Sequence, residues 1–450
     1  PVQAAMNSQP PRRSGGKDGA RYGMVVDLRK CIGCQACTVS CSIENAPPIG
    51  QFRTTVLQYE VLDEQQQAAM LSLPRLCNHC DNPPCVPVCP VQATFQREDG
   101  VVLVDNERCV GCAYCVQACP YDARFINHET QTADKCTFCE HRLEVGLLPA
   151  CVESCVGGAR VIGDMNDETS TISQLLKEHK EEIRVLKPGM NTNPHVFYIG
   201  LPDEFVDGAA MSIIEILTPA YEVAWLPWAV QYFFLVGMAA TSTVWVWRCA
   251  WSSDSALRRL EPALMIVLLC SSIAAPVSLL ADLHQPGRFW HFYAHFTPWS
   301  WMSLGAVLLP LFVGLSMANV LAWWLNKRVL WRWLSLALLV SALSILVYSG
   351  FEVMVLRSRP LWNTAFLPIN FALTAALASL GAILLVARLL PGGVANLPLE
   401  YVRRWSLGVV LTLIVVALFW VGSGLLGYSH SFGAAWELFQ SYPVWRLGFL

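Results

Sequence analysis

The sequence predicts two unlike halves: a soluble α+β half, then an all-α bundle of six to seven transmembrane helices. Three observations predict this. Of 450 residues, 54% are apolar and only 14% are charged, whereas ordinary soluble domains are roughly 25% charged. The apolar excess lies beyond residue 210. Sixteen of the 18 cysteines lie between Cys31 and Cys155, leaving only Cys249 and Cys270. This composition excludes a disordered chain and a single soluble globule. A net charge of −3 gives no electrostatic basis for binding nucleic acid.

Residues 1–20 (PVQAAMNSQPPRRSGGKDGA) hold Pro, Gly, Ser and charge with no apolar period, and read as a flexible tail. The start at Pro1 predicts removal of something upstream. Arg12-Arg13 invites a twin-arginine reading, but the SGGKDGARYG that follows is no apolar stretch. Residues 21–210 form the soluble domain. Its β-branched and aromatic runs predict strands at Tyr22–Leu28, Thr54–Val61 and Val101–Val104. Ile172, Leu175, Leu176 and Ile183 recur at helical spacing and predict a surface helix over Ser170–Val185.

Residues 211–450 carry apolar runs at Leu226–Trp247, Ala263–Leu283, Met302–Leu325, Leu334–Val355, Ala365–Leu390 and Trp405–Leu426. Each can cross a hydrocarbon core of about 30 Å. Tryptophans at their ends, such as Trp245, Trp301 and Trp324, suit the membrane interface. Nine Lys and Arg lie in the first, third and fifth connections, against three in the second and fourth (Arg288, Arg357, Arg359). The positive-inside rule then makes the odd connections cytoplasmic. The cysteine-rich half is thereby expected on the periplasmic side of a bacterial inner membrane. Met211 stands where the apolar half begins, as if two subunits were fused there.

The cysteines form four quartets: Cys31, Cys34, Cys37, Cys41; Cys77, Cys80, Cys85, Cys89; Cys109, Cys112, Cys115, Cys119; and Cys136, Cys139, Cys151, Cys155. The third is the C-x2-C-x2-C-x3-C-P run of bacterial ferredoxins, whose fourth Cys ligates the neighbouring cluster. Zinc uses C-x2-C pairs but does not need the remaining cysteines at these spacings, and C-x2-C crowding would strain several disulfides. Four [4Fe–4S] clusters in a double ferredoxin-like iron–sulfur domain follow. Nesting the motifs predicts clusters at Cys31/Cys34/Cys37/Cys155, Cys136/Cys139/Cys151/Cys41, Cys77/Cys80/Cys85/Cys119 and Cys109/Cys112/Cys115/Cys89. Pairing the first quartet with the second, and the third with the fourth, is the open alternative. Gly33 and Gly111 let the backbone wrap close to a cluster. His79, His128 and His141 are expected to be solvated or structural, because every cluster is already supplied.

A wire of clusters ending at a membrane implies a lipid-soluble carrier. No haem is expected, since His284, His291, His295 and His430 all lie outside the apolar runs. Quinone needs polar, proton-handling groups in an apolar wall. Glu222, Asp282, His284, Tyr348, Glu352 and Arg357 are the candidates, all on the outer side by this topology, with Trp225 as a further contact. Glu222, Asp282, His284 and Tyr348 are the candidate proton-handling residues; Tyr348, Glu352, Arg357 and Trp225 are the candidate quinone contacts.

Three stretches, RYGMVVDLRKCIGCQACTVSC, the run from LPRLCNHCDNPPC to TADKC, and LLPACVESCVGGARVIGD, resemble the electron-transfer subunits of dimethyl-sulfoxide-reductase type molybdoenzymes. AWLPWAVQYFFLVG, DLHQPGRFWHF, WSWMSLGA and YSGFEVMVLRSRPLWNT are similar to polysulfide-reductase-family membrane anchors. The resemblance implies the nested pairing. It implies that the Cys109/Cys112/Cys115 cluster is nearest the quinol and that the Cys31/Cys34/Cys37 cluster faces a molybdopterin catalytic subunit. It further implies that Tyr348 contacts quinone, with Asp282 carried over second. The implied function is transfer of electrons from menaquinol to a partner reducing tetrathionate or a related sulfur compound. A quinone-reducing module of a hydrogenase or formate dehydrogenase, or a membrane scaffold with structural metal, are the alternatives. Anchors of this family have eight or more helices, so a chain entering a seventh at Tyr442–Leu450 predicts a truncated anchor.

Overall fold

The computed structural model describes residues 12–62, 68–206, 214–217, 224–390, 399–426, 431–433 and 435–436. Met211, Glu222 and Tyr442–Leu450 lie outside the described residues. The chain divides into two compact units. One comprises residues up to Ala224 together with Gly287–Ser300; the other comprises Trp225–Pro286 and the chain from Trp301.

The first unit is α+β. Strand Tyr22–Asp27 lies between antiparallel Arg160–Asp164 and parallel Val196–Ile199, with Tyr22 opposite Asp164 and Met24 opposite Val196. Ile183–Arg184 extends this sheet by pairing with Val196–Ile199. The two ends of the cysteine-rich region thus meet in one sheet. Thr54–Leu62 pairs with Ala68–Leu76, and Ile214–Leu217 adds to its other edge. Met24, Val26, Val56, Leu73, Val196 and Tyr198 pack into one core with several of the cysteines.

Three features depart from the sequence pattern. The helix expected over Ser170–Val185 is Thr171–Glu178, capped by the Ser170 side chain. It ends within the charged run, and Ile183 pairs instead with Ile199, because an edge strand was open there. The tail expected over residues 1–20 is ordered where it is described. The Arg13 amide donates to the Gln96 carbonyl, Arg12 pairs with Asp81 at 2.6 Å, and the Arg13 guanidinium sits 4.1 Å from the Phe95 ring centre. Finally, Gly287–Ser300 belongs to the first unit although it interrupts the membrane half. Arg288 donates to the carbonyls of Asn106 and Cys109, His291 bonds the Arg108 carbonyl, Thr297 donates to the Pro90 carbonyl and Ser300 to that of Val88.

The second unit contains six helices long and apolar enough to cross a membrane: Pro227–Trp251, Glu261–Asp282, Trp301–Trp324, Arg328–Met354, Phe366–Leu389 and Leu399–Leu425. The first packs on the second, fourth and fifth, and the third on the fourth. Close approach needs small residues. At Gly237 a Cβ would lie 2.9 Å from Ala375 Cβ, and at Gly350 a Cβ would lie 2.5 Å from Pro368 Cβ. The fourth helix begins before its apolar run. Its first residue, Arg328, donates to buried Glu261 at 3.0 Å, and Trp323 Nε1 donates to the same carboxylate at 2.8 Å. The sixth helix also starts early, with Glu400 pairing with Arg403 and Arg404 in its opening turns.

Candidate functional site

The sixteen quartet thiols come together in four sets, each mixing two quartets. Cys31, Cys34, Cys37 and Cys155 line one cavity. Cys41, Cys136, Cys139 and Cys151 line a second, and Cys77, Cys80, Cys85 and Cys119 a third. Cys89 faces Cys109, Cys112 and Cys115 in the remaining set. The short loops explain this. Gly33 and Gly111 have φ of 68° and 67°, and Gln35 and Ala113 follow at 61° and 57°, so each loop turns back on itself. A Cβ at Gly33 would lie 2.6 Å from the Ser72 hydroxyl. The helices Ala36–Asn45 and Tyr114–Ala118 then carry Cys41 away and aim the chain after Cys115 toward Cys119.

The donor sets fit iron–sulfur clusters. Among the described residues no three His, Cys, Asp or Glu side chains converge on a point that one metal ion could occupy. A zinc site would need such convergence, with each sulfur about 2.3 Å from the ion; a larger polynuclear core does not. All the cysteines are free of disulfides. Burial pushes the thiols of Cys41, Cys85 and Cys109 up to about 12. Iron must therefore replace a proton at each. Amide donors already aim at the sulfurs: Ala93 to Cys89 at 3.1 Å, Ala159 to Cys155 at 3.2 Å, Ala133 to Cys109 and Phe138 to Cys136 at 3.4 Å. Such donors stabilise sulfur-borne negative charge.

His79 is fully buried rather than solvated. Its Nδ1 accepts from the Val102 amide at 3.1 Å, and its ring stacks on Phe138 at 3.8 Å between centres. His79 lies between Cys77 and Cys80, and Phe138 between Cys136 and Cys139. The stack therefore joins the loops of two different thiol sets. His141 pairs with Glu44 at 2.9 Å on the surface, and the His128 amide donates to Gln51.

In the second unit Tyr348 and Glu352, one turn apart on the fourth helix, are both buried. Their side chains interact with each other, and Tyr348 also with Tyr232 of the first helix. A Cβ at Gly305 would overlap the Tyr348 oxygen, so the third helix leaves room for that hydroxyl. Sequence reasoning missed Tyr232. Its only signal is a tyrosine inside an apolar run. Asp282 is buried and accepts from the Leu226 amide at 3.0 Å, at the N-terminus of the first long helix. Trp225 stacks on Trp362 at 5.8 Å. His284 is half-buried and Arg357 exposed.

These features define a class: an iron–sulfur electron-transfer subunit continuous with a helical membrane anchor. Residues 217–445, just over half of the chain, match the family described as polysulphide reductase, NrfD, and the chain belongs to that family. Residues 68–165 match the 4Fe-4S dicluster domain. The first part of the chain is 72% identical over 197 residues to a tetrathionate reductase subunit of Salmonella typhimurium strain LT2, covering 44% of this chain and 79% of that protein. It is 47% identical over 185 residues to a tetrathionate reductase subunit of Archaeoglobus fulgidus, covering 41% and 84%. It is 44% identical over 184 residues to the protein NrfC of Escherichia coli K12, covering 40% and 82%.

Proposed function

We propose that the chain oxidises menaquinol in its membrane unit and passes the electrons singly through four [4Fe–4S] clusters to a periplasmic molybdopterin subunit that reduces tetrathionate or a related sulfur compound. The carrying observation is the arrangement of sixteen thiols in four mixed sets within a chain whose other unit buries a Tyr–Tyr–Glu cluster. The likeness to tetrathionate reductase subunits of two organisms supports the choice of partner and substrate.

Quinol oxidation releases two electrons and two protons. Tyr348 and Glu352 supply a hydroxyl and a carboxyl in an apolar wall, the groups needed to orient a quinol hydroxyl and accept its proton. Tyr232 on the first helix places a second buried hydroxyl near Tyr348. Half-buried His284 is suited to passing protons outward, exposed Arg357 to contacting the quinone, and Trp225 with Trp362 offers an aromatic surface to the ring. Asp282 acts by capping the helix that carries Tyr232. Glu222 remains a candidate proton carrier.

Each cluster, when bound, stores one electron. The residues of Gly287–Ser300 hold the backbone around Cys109 and Pro90, which supports electron entry at the Cys109/Cys112/Cys115/Cys89 set. The Cys31 set opens to the surface: Cys34 is exposed, and Ile32 and Val156 beside it are 69% and 74% exposed. Uncovered apolar side chains around that set suit a docked catalytic partner.

Low-temperature EPR on the anaerobic full chain tests the reading. Reduced-cluster signals should appear after adding a menaquinol analogue. Silence after quinol, with full signals after dithionite, would overturn the quinol-oxidising direction. No signals after dithionite would overturn the clusters themselves.

A further inference from the structure

Two arginines of the first unit are buried beside the thiol sets without a carboxylate partner. Arg124 is 4% exposed and Arg160 is 3% exposed. Each donates to one threonine hydroxyl: Arg124 Nη1 to Thr94 at 3.2 Å, and Arg160 Nη2 to Thr54 at 2.9 Å. Arg124 Nη2 has no partner among the described residues. Neither arginine pairs with an Asp or Glu among the described residues. What faces them is sulfur. Arg124 lines the Cys77/Cys80/Cys85/Cys119 cavity and also faces Cys115 of the Cys109 set. Arg160 lines the Cys31/Cys34/Cys37/Cys155 cavity and faces Cys151 and Cys136 of the Cys41 set.

The two positions are equivalent in the sequence. Arg124 stands five residues after Cys119 in CPYDAR, and Arg160 five after Cys155 in CVGGAR. The preceding alanine amide bonds the cysteine sulfur in both, Ala159 to Cys155 and Ala123 to Cys119. Each half of the domain thus contains one buried guanidinium between its own two thiol sets.

A buried cation with no counter-ion is strongly disfavoured even after relaxation. Guanidinium cannot shed its proton to escape that cost. A cluster held by four thiolates is anionic and gains a further negative charge on reduction. Nearby fixed charge is one of the influences that set a cluster's potential. A cation placed between two clusters favours the reduced state of both.

We propose that Arg124 and Arg160 are potential-setting residues, each the shared buried counter-charge of the two clusters in its own half of the wire. This rests on the four-cluster reading. A paired shift is its consequence: one arginine raises the potentials of two neighbouring clusters together.

The test is a redox titration of the full chain in membranes, followed by EPR, with iron and acid-labile sulfide measured on each preparation. Wild type should show four reductive steps; fewer, with correspondingly low iron, would overturn the four-cluster reading rather than this one. Arg124→Gln should lower two of the steps, each by at least tenfold in the oxidised-to-reduced ratio, or about 59 mV for one electron. Arg160→Gln should lower the other two. Arg124→Lys and Arg160→Lys keep the charge and should titrate within threefold of wild type. Equal shifts of all four steps, unchanged steps in the Gln variants, or Lys variants that shift as far as Gln would overturn the proposal. Should a Gln variant assemble no clusters, a Lys variant that does assemble them supports the charge; loss in both overturns it.

Discussion

At the scale of single residues, burial beside a fixed charge decides the protonation state of a polar group in the first unit. His195 illustrates the cost. It is buried, and its Nε2 lies 3.2 Å from Arg21 Nη2, so the imidazole accepts there and stays neutral. Burial first, then the charge of Arg21, brings its pKa down from 6.5 to about 4. The unfolded chain binds this proton at the higher pH. Between 6.5 and about 4 the unfolded state therefore holds more protons, and stability falls as pH falls. The difference is on the order of 3 kcal/mol across that window. Thermal unfolding of the full chain at pH 7 and pH 5 should show the loss, and His195→Gln should flatten it. An unchanged slope in that variant would assign the acid sensitivity elsewhere. His79 shows what the sequence leaves open: CNHC announces a loop between ligands, but only the fold brings Phe138 against the ring.

At the scale of elements, the bundle is legible as six apolar runs, and its helices extend past those runs where polar groups find partners. Arg328 opens the fourth helix because Glu261 is buried opposite it. Arg328→Met should cost about 1.5–3 kcal/mol by removing the charged donor and leaving that carboxylate only the Trp323 hydrogen bond, read as a lower unfolding temperature in detergent. Gly305 is an element-scale feature of a different kind. Gly305→Ala would place a methyl on the Tyr348 hydroxyl. Displacing one hydrogen bond to a reacting group, worth about 1.5–3 kcal/mol, should slow quinol-driven cluster reduction roughly tenfold to hundredfold. Reduction by dithionite should be unchanged. Slowing of both would place the damage in the wire instead. The pairing of Tyr348 with Tyr232 is not in the pattern of either run, since an apolar period does not say which helices face each other.

At the scale of the whole molecule, Lys and Arg counts point one way. Nine lie in the odd connections and three in the even ones, an imbalance that by the positive-inside rule predicts an iron–sulfur unit outside the cytoplasm. Protease added to intact spheroplasts should cleave that unit, and inverted vesicles should protect it. The opposite result would reverse the topology and the side on which quinol protons are released. The composition boundary near residue 210 separates membrane from soluble chain, yet Gly287–Ser300 joins the soluble unit. Its polar side chains satisfy carbonyls at Val88, Pro90 and Asn106–Cys109, and a local reading of hydropathy cannot see such distant partners.

Residue order alone settles the ligand type, the quartets and the six helices long enough to cross a membrane. Cysteine spacing and apolar run length are local quantities, set by loop geometry and bilayer thickness. Nesting the motifs predicts which thiols share a cavity, and the fold decides between that and the alternative pairing; which rings stack between them, where two guanidinium groups are buried and which tyrosine meets Tyr348 emerge only in three dimensions. Each is a contact between residues far apart in the chain, and burial sets its strength only once the two segments have met.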